Sequence, residues 1–249
     1  MMSLYSGTPG SGKSLSMCKE VAFWLKSLNK NVIANTRINR KFILGDKKGG
    51  RFYYFSNDVL TPDLLYKYAL RFHKLGVESQ TLIVMDEAQV KFSPTAVKLF
   101  TQEDKNYRQD WLEFFTQHRH LGFDVIIISQ FDRLIDAQVR CLFEYNFVHR
   151  KANNLGALGI FLSILHIPLF VQIQHWYGAR QVCGHKFFLY RHKYSKMYDS
   201  YSYRSQIIFK LEQKYGKEKM EELMGVRPKK IKKVVNHVHK EKKVEEIKK

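Results

Sequence analysis

Acidic residues are scarce in this chain: 23 Asp and Glu stand against 42 Lys and Arg, a formal net charge of +19. That balance argues against a cationic partner and implies an anionic one: nucleic acid, nucleotide phosphates or the inner face of a membrane. Charge alone does not choose among them. Cysteine is scarce too. Cys18, Cys141 and Cys183 lie far apart without CxxC spacing, which excludes a disulfide framework or a cysteine zinc site and reads as thiols in a reducing cytosol. No internal repeat is present, which excludes a stacked-repeat architecture. No signal peptide is expected, because a glycine loop interrupts the first apolar patch. What the chain does have is material for a core. Its 249 residues are 45% hydrophobic, enough for one large α/β domain with an appendage and too much for wholesale disorder.

The glycine loop is the first informative feature. "GTPGSGKS" satisfies G-x-x-x-x-G-K-[ST] through Gly7, Gly12, Lys13 and Ser14, with Thr8, Pro9, Gly10 and Ser11 between. It sits between a short apolar stretch at residues 3–5 and an amphipathic helix expected from Lys13 to about Leu28, the context in which this loop cradles phosphates. Its glycines let backbone N–H groups curl around phosphate oxygens, above the positive end of the helix. Lys13 would reach the β- and γ-phosphates, and the Ser14 hydroxyl would ligate Mg²⁺. A glycine-rich turn that merely caps a helix is the alternative.

Such a loop needs a catalytic partner, and "LIVMDE" (82–87) supplies one: a buried strand ending in Asp86 and Glu87. Asp86 is expected to hold Mg²⁺ through water, and Glu87 to orient and deprotonate the attacking water. An acid at a strand end is weak evidence alone and strong beside a phosphate loop. In NTPases with this adjacent glutamate, an additional strand lies between the loop strand and the acidic strand. "DVIIISQ" (124–130) fits it, with Gln130 at the tip as the γ-phosphate sensor. His118 and His120 flank Arg119, but residues two apart on a helix face different ways and share a metal poorly. Arg119, Arg133 and Arg140 read either as solvated arginines or as charge donors to a neighbouring subunit's nucleotide.

Around these motifs, "NVIANT" (31–36) and "RFYYFS" (51–56) read as strands, with a turn at 45–50 between them. Thr61 and Pro62 open a helix, and a further helix is expected at about 101–120. Strands apolar throughout, alternating with helices, predict an α/β fold: a P-loop NTPase with a mainly parallel sheet flanked by helices, of the additional-strand type. Beyond Arg150, residues 155–173 are almost uncharged, interrupted by Ser163, His166 and Pro168, and an aromatic-rich stretch follows. Residues 227–249 hold ten Lys or Arg against three Glu and read as a solvated basic tail, suited to anionic lipid with single-stranded DNA as competitor.

With "GTPGSGKS", "LIVMDEAQ", "RHLGFDVIIISQ", the "ID..VR" of 135–140 and "KMYDSY" (196–201) in place, the sequence resembles the zonular occludens toxin family, which includes the filamentous bacteriophage gene I assembly ATPases. The resemblance spans about residues 1–201 and implies an ATPase that drives virion assembly and extrusion at the cytoplasmic face of the host inner membrane. It implies ATP and Mg²⁺ as cofactors. As partners it implies a homo-oligomeric ring, with Arg119 or Arg140 acting in trans, a phage DNA–protein complex, other assembly proteins and an anionic membrane surface. Residues 1–150 would be the P-loop core, 151–205 the continuation of the family domain, and 206–249 a helical, Lys-rich tail. Family members carry a spanning helix after the ATPase region; nothing here after Tyr201 is apolar enough. Segment 155–173 has about the length of a span, yet falls in the part matching the cytosolic domain, so a core or membrane-surface role is preferred. Three other readings stay open: a DNA-translocating or packaging ATPase without extrusion, a non-enzymatic membrane-binding or toxin-like module, and a small-molecule kinase. Intact Asp86 and Glu87 weigh against the non-enzymatic one.

Overall fold

The apolar runs become strands of one sheet. The computed structural model describes residues 1–45, 48–74, 76–154, 164, 168–179 and 181–198. Among these, β1 (Met2–Ser6), β2 (Asn31–Ala34), β3 (Phe52–Tyr54), β4 (Thr81–Met85), β5 (Phe123–Ile128) and β6 (Tyr145–Lys151) are followed by β7 (Leu169–Trp176) and β8 (Gln181–Leu189). The sheet order is β3-β2-β4-β5-β1-β6-β7-β8. Pairings from β3 through β6 are parallel, and β7 and β8 add an antiparallel hairpin at one edge. As expected of the additional-strand type, β5 lies between the phosphate-loop strand β1 and the acidic strand β4.

The central strands β4 and β5 are apolar on both sides because both faces of the sheet are covered there. Leu82 and Val84 of β4, with Ile126 and Ile128 of β5, pack against Met17, Cys18, Val21 and Leu25. The alternate residues Ile83, Met85, Val125 and Ile127 pack on the other face against Leu65, Tyr68, Trp111, Phe114 and Phe115. The first set belongs to α1 (Lys13–Ala22), which continues as a π-helical turn over Phe23–Ser27, where Leu28 N donates to Phe23 O at 3.1 Å. The helix predicted to about Leu28 therefore ends in a widened turn. After the short α2 (Arg40–Leu44), α3 (Pro62–Phe72) begins where Thr61 and Pro62 indicate, with Thr61 Oγ1 accepting from Leu64 N at 3.4 Å.

One expectation changes. The single helix at about 101–120 is two, preceded by the one-turn α4 (Gln89–Phe92): α5 (Pro94–Glu103), capped by Ser93, and α6 (Tyr107–Gln117). Asp104 makes the break, its backbone extended and its carboxylate accepting from Asn106 N at 3.0 Å. Segment 155–173 does not behave as one element. Residues 155–163 and 165–167 lie outside the described residues, but 169–173 belong to β7, hydrogen-bonded to β6 and β8 and buried through Phe170 and Val171. No helix among the described residues is long and apolar enough to cross a membrane. The basic tail, like all of 199–249, lies outside the described residues.

Candidate nucleotide site

The loop at 7–14 leaves the end of β1 and closes on Gly12, whose φ of 94° lies in the left-handed region before α1 starts at Lys13. A Cβ there would stand 2.8 Å from the Phe170 ring, so a side chain is excluded by both backbone and neighbour. Gly7 is also left-handed, and a Cβ on it would collide with the His149 carbonyl oxygen. Its N–H donates to Gln130 O at 3.0 Å, tying the loop to the tip of β5. Ser11 N–H donates to Thr8 O at 3.2 Å, while the buried Ser11 hydroxyl has no partner. Thr8, Pro9 and Gly10 are exposed. Lys13 Nζ donates to Gly7 O at 2.6 Å and Thr8 O at 3.1 Å. Burial lowers its pKa, and the negative charges of Glu87 and Asp86 act the other way.

That electrostatic reach is the first sign that the sequence-distant acids converge on the loop. Asp86 follows β4 and is buried. Its Oδ1 accepts from Glu87 N at 2.9 Å and its Oδ2 from the Tyr198 hydroxyl at 2.9 Å. Burial raises the Asp86 pKa, opposed by the Tyr198 bond; the neighbouring Glu87 raises it further. The Tyr198 hydroxyl also reaches the Ser14 side chain, so Ser14 and Asp86, the two groups named for Mg²⁺, share one neighbour. Glu87 is exposed and held at φ 48°, a conformation costing a non-glycine residue on the order of 1–3 kcal/mol. Gln89 Nε2 donates to Glu87 Oε2, and Ala88 N to Ile128 O at 2.9 Å, so β5 braces this turn as well as the loop.

Three residues of this site lie outside the phosphate loop and the acidic strand end. Asn35, at the tip of β2, accepts from Asp86 N at 2.6 Å and donates to Asp86 O at 2.8 Å and Asn57 Oδ1 at 2.8 Å. Lys91 is buried and donates to Asn57 O at 2.8 Å and Leu60 O at 2.6 Å, fixing the loop that supports Asn35. Tyr198 belongs to "KMYDSY", a family mark that carried no chemical role. A polar residue ending the apolar run of β2 was the available pointer to Asn35; nothing local pointed to Lys91.

The arginines stand apart. Arg119 lies near the amino end of β5, the opposite edge of the parallel strands from the loop, and pairs with exposed Glu78 at 3.2 Å. The structure does not bring it to this chain's loop. Arg140 ends α7 (Ala137–Arg140), close enough to Tyr177 to act on its hydroxyl electrostatically, and makes no described hydrogen bond to the loop. Arg133 is exposed.

His149 on β6 lies under the loop, buried, with Nδ1 3.3 Å from Ser6 O and its ring 5.0 Å from that of Tyr5. Burial pulls its pKa from 6.5 down to about 4, while its bonds to the Ser6 and Phe147 backbone oppose and the Lys13 charge assists. The folded value lies below the unfolded one, so between pH 6.5 and about 4 the unfolded chain binds the extra proton. Stability therefore falls as pH drops through that window, by about 2 kcal/mol at pH 5. Urea midpoints at pH 7 and pH 5 should show this loss, and His149→Phe should reduce it. Parallel losses in the two chains would show that another group carries the effect.

The Zonular occludens toxin (Zot) family model matches residues 1–205. Among solved structures, the chain is similar to the N-terminal domain of zonular occludens toxin from Neisseria meningitidis, at 16% identity and a TM-score of 0.45, over 80% of this chain and 98% of that one. It is similar to B204, the DNA-packaging ATPase from Sulfolobus Turreted Icosahedral Virus, at 14% identity and a TM-score of 0.46, over 77% and 98%. A further solved ATPase domain aligns at 10% identity and a TM-score of 0.53, over 80% of this chain and 84% of that one, and shares the fold. None of the curated proteins compared matches the chain.

Proposed function

The chain belongs to the zonular occludens toxin family of P-loop ATPases, and from that premise we propose that it is an ATP-driven motor for assembly and extrusion of filamentous phage at the cytoplasmic face of the host inner membrane. The observation that carries the motor chemistry is the insertion of β5 between β1 and β4, which braces the loop through Gly7 and the acidic turn through Ala88. Glu87 thereby comes near enough for its charge to act on the Lys13 amine, and one nucleotide would lie between them. The residues present fit Mg-ATP: left-handed glycines, an unpartnered Ser11 hydroxyl, and Ser14 near Asp86 through their common neighbour Tyr198. Ser14 and Asp86 would hold Mg²⁺, which neutralises charge on the phosphates. Glu87 orients and deprotonates the attacking water, and Gln130 senses the γ-phosphate from the tip of β5.

The motor is a homo-oligomeric ring acting on a phage DNA–protein complex together with other phage assembly proteins. The net charge of +19 suits it to an anionic membrane surface and to single-stranded DNA. A second reading is DNA translocation or packaging without extrusion, to which the net charge of +19 is equally suited. In either case an arginine completes a neighbour's site. Arg140 is the stronger choice, and Arg119 is tested beside it.

Mixing a Lys13→Ala chain with an Arg140→Ala chain should restore part of the turnover that each lacks, because one interface in the mixed ring then has both a whole loop and a whole arginine. Arg119→Ala is mixed in the same way. No recovery in either mixture, with assembly intact, overturns the trans arginine. Stimulation of the wild-type ring by naked DNA in the same assay would favour the second reading.

A further inference from the structure

After β8 the chain turns back across the site. Tyr190 N donates to Pro168 O at 3.0 Å, α8 (His192–Ser195) follows, and Met197 enters the core with Met17, Cys18 and Val21 of α1. Asn39 N then donates to Met197 O at 2.9 Å, and Tyr198 bridges Ile38. Residues 190–198 thus run as a strap from the β8 edge, past the first turns of α1, to the segment after β2. Beneath it lies a cleft of about 320 Å³, continuous with Gly10–Leu15 and walled by Phe170, Tyr190, Tyr194 and Tyr198. Tyr194 and Leu15 also line a second cavity of about 400 Å³, shared with Lys19, Phe188 and Arg191.

The position of this cleft matters. Gln130 and Glu87 follow β5 and β4, on one side of β1; β7 and β8, which frame the strap, lie on the other. A nucleotide whose terminal phosphates face Lys13 and Glu87 must send its nucleoside away from them, past Ser14 and Leu15, because the loop backbone cradles the inner phosphates. The wall there is held in place. Phe170 abuts Gly12 and stacks on Phe188 with ring centroids 5.5 Å apart. The Tyr190 hydroxyl donates to Ser195 Oγ at 2.6 Å, and Ser195 donates to His192 O at 3.0 Å. The size is that of a small-ligand pocket, and its aromatic lining offers stacking area rather than a hydrogen-bond code.

We propose that this cleft binds the nucleoside end of the nucleotide, with a purine base stacked on Tyr194. The proposal rests on the nucleotide reading of the loop. Stacking recognises area, so ATP and GTP bind within a few-fold of each other, and the smaller cytosine ring of CTP binds more weakly.

Calorimetric titration of the full chain with Mg-ATP, Mg-CTP and inorganic tripolyphosphate separates base from phosphate. Wild type should bind ATP more tightly than CTP or tripolyphosphate. Tyr194→Ala should weaken ATP about tenfold and leave tripolyphosphate unchanged, while Tyr194→Phe keeps wild-type ATP affinity. If ATP is no tighter than tripolyphosphate, or Tyr194→Ala keeps ATP affinity, the base site is overturned and the phosphate loop stands. If wild type binds neither ligand, the nucleotide reading itself falls and takes the proposal with it. Should Tyr194→Ala lose tripolyphosphate too, the loop has been disturbed, and the wild-type comparison of ATP with CTP decides.

Discussion

Glu87→Gln should leave nucleotide binding intact and lower the ATP turnover rate about 10²–10⁴-fold, the range expected when a positioned general base is lost. The amide keeps the shape of the carboxylate and still accepts from Gln89, so the turn at φ 48° has no reason to rearrange. On the proposed mechanism, what disappears is the group that takes the proton of the attacking water. Asp86 is a poor replacement: it is buried, each oxygen already accepts one bond, from Glu87 N and from the Tyr198 hydroxyl, and its remaining acceptor capacity is the part proposed for Mg²⁺. Phosphate release under saturating Mg-ATP measures the loss, and retention of labelled nucleotide shows that the site is filled. Wild-type turnover in Glu87→Gln would remove Glu87 from the chemistry and leave only its strained backbone to explain.

Lys13→Ala should have the larger effect on binding: affinity for Mg-ATP is expected to drop by about two orders of magnitude or more. Each hydrogen bond from a charged donor contributes about 1.5–3 kcal/mol, and the amine can give several to the phosphate oxygens. The structure shows it poised, donating to the Gly7 and Thr8 carbonyls within the loop it serves. Those carbonyls belong to a partly exposed turn and can turn to water, so the substitution should leave the fold in place. Lys13 also opens α1, where alanine is a good helix former. Equilibrium binding of a fluorescent ATP analogue, beside a thermal melt of the same sample, separates a lost site from a lost fold. Unchanged affinity at unchanged melting temperature would mean that phosphates are not held here.

Much of this site is readable without coordinates because its chemistry is local. Gly7 through Ser14 are contiguous, and a path of left-handed glycines ending at a helix start is set by residues touching in sequence. The acids are local in the same sense, since Asp86 and Glu87 must leave a buried strand at its carboxyl end. Alternation of fully apolar runs with helices already implies a parallel sheet covered on both faces, and β1, β4 and β5 form it. Less was legible where a single residue redirects the chain, as Asp104 does between α5 and α6. The stretch after Arg150 was least legible: strand β7, paired on both sides, and a spanning helix have the same local composition.

The sequence by itself determined the glycine loop between β1 and α1, the acidic pair at the end of β4 and the layered α/β architecture, because each follows from neighbouring residues and strand periodicity. The tertiary structure alone decided which distant side chains complete the site. Asn35 meets Asp86 across 51 residues and Tyr198 meets it across 112, distances that no spacing rule covers. It also decided that Arg119 lies at the amino end of the parallel strands, away from the loop, and that Phe170 and Tyr194 wall a cleft beside Gly12 and Leu15. The physical reason is the same throughout. Sheet order and the path of the strap are chosen by burying area over the whole domain, and that choice places residues the local chain cannot relate.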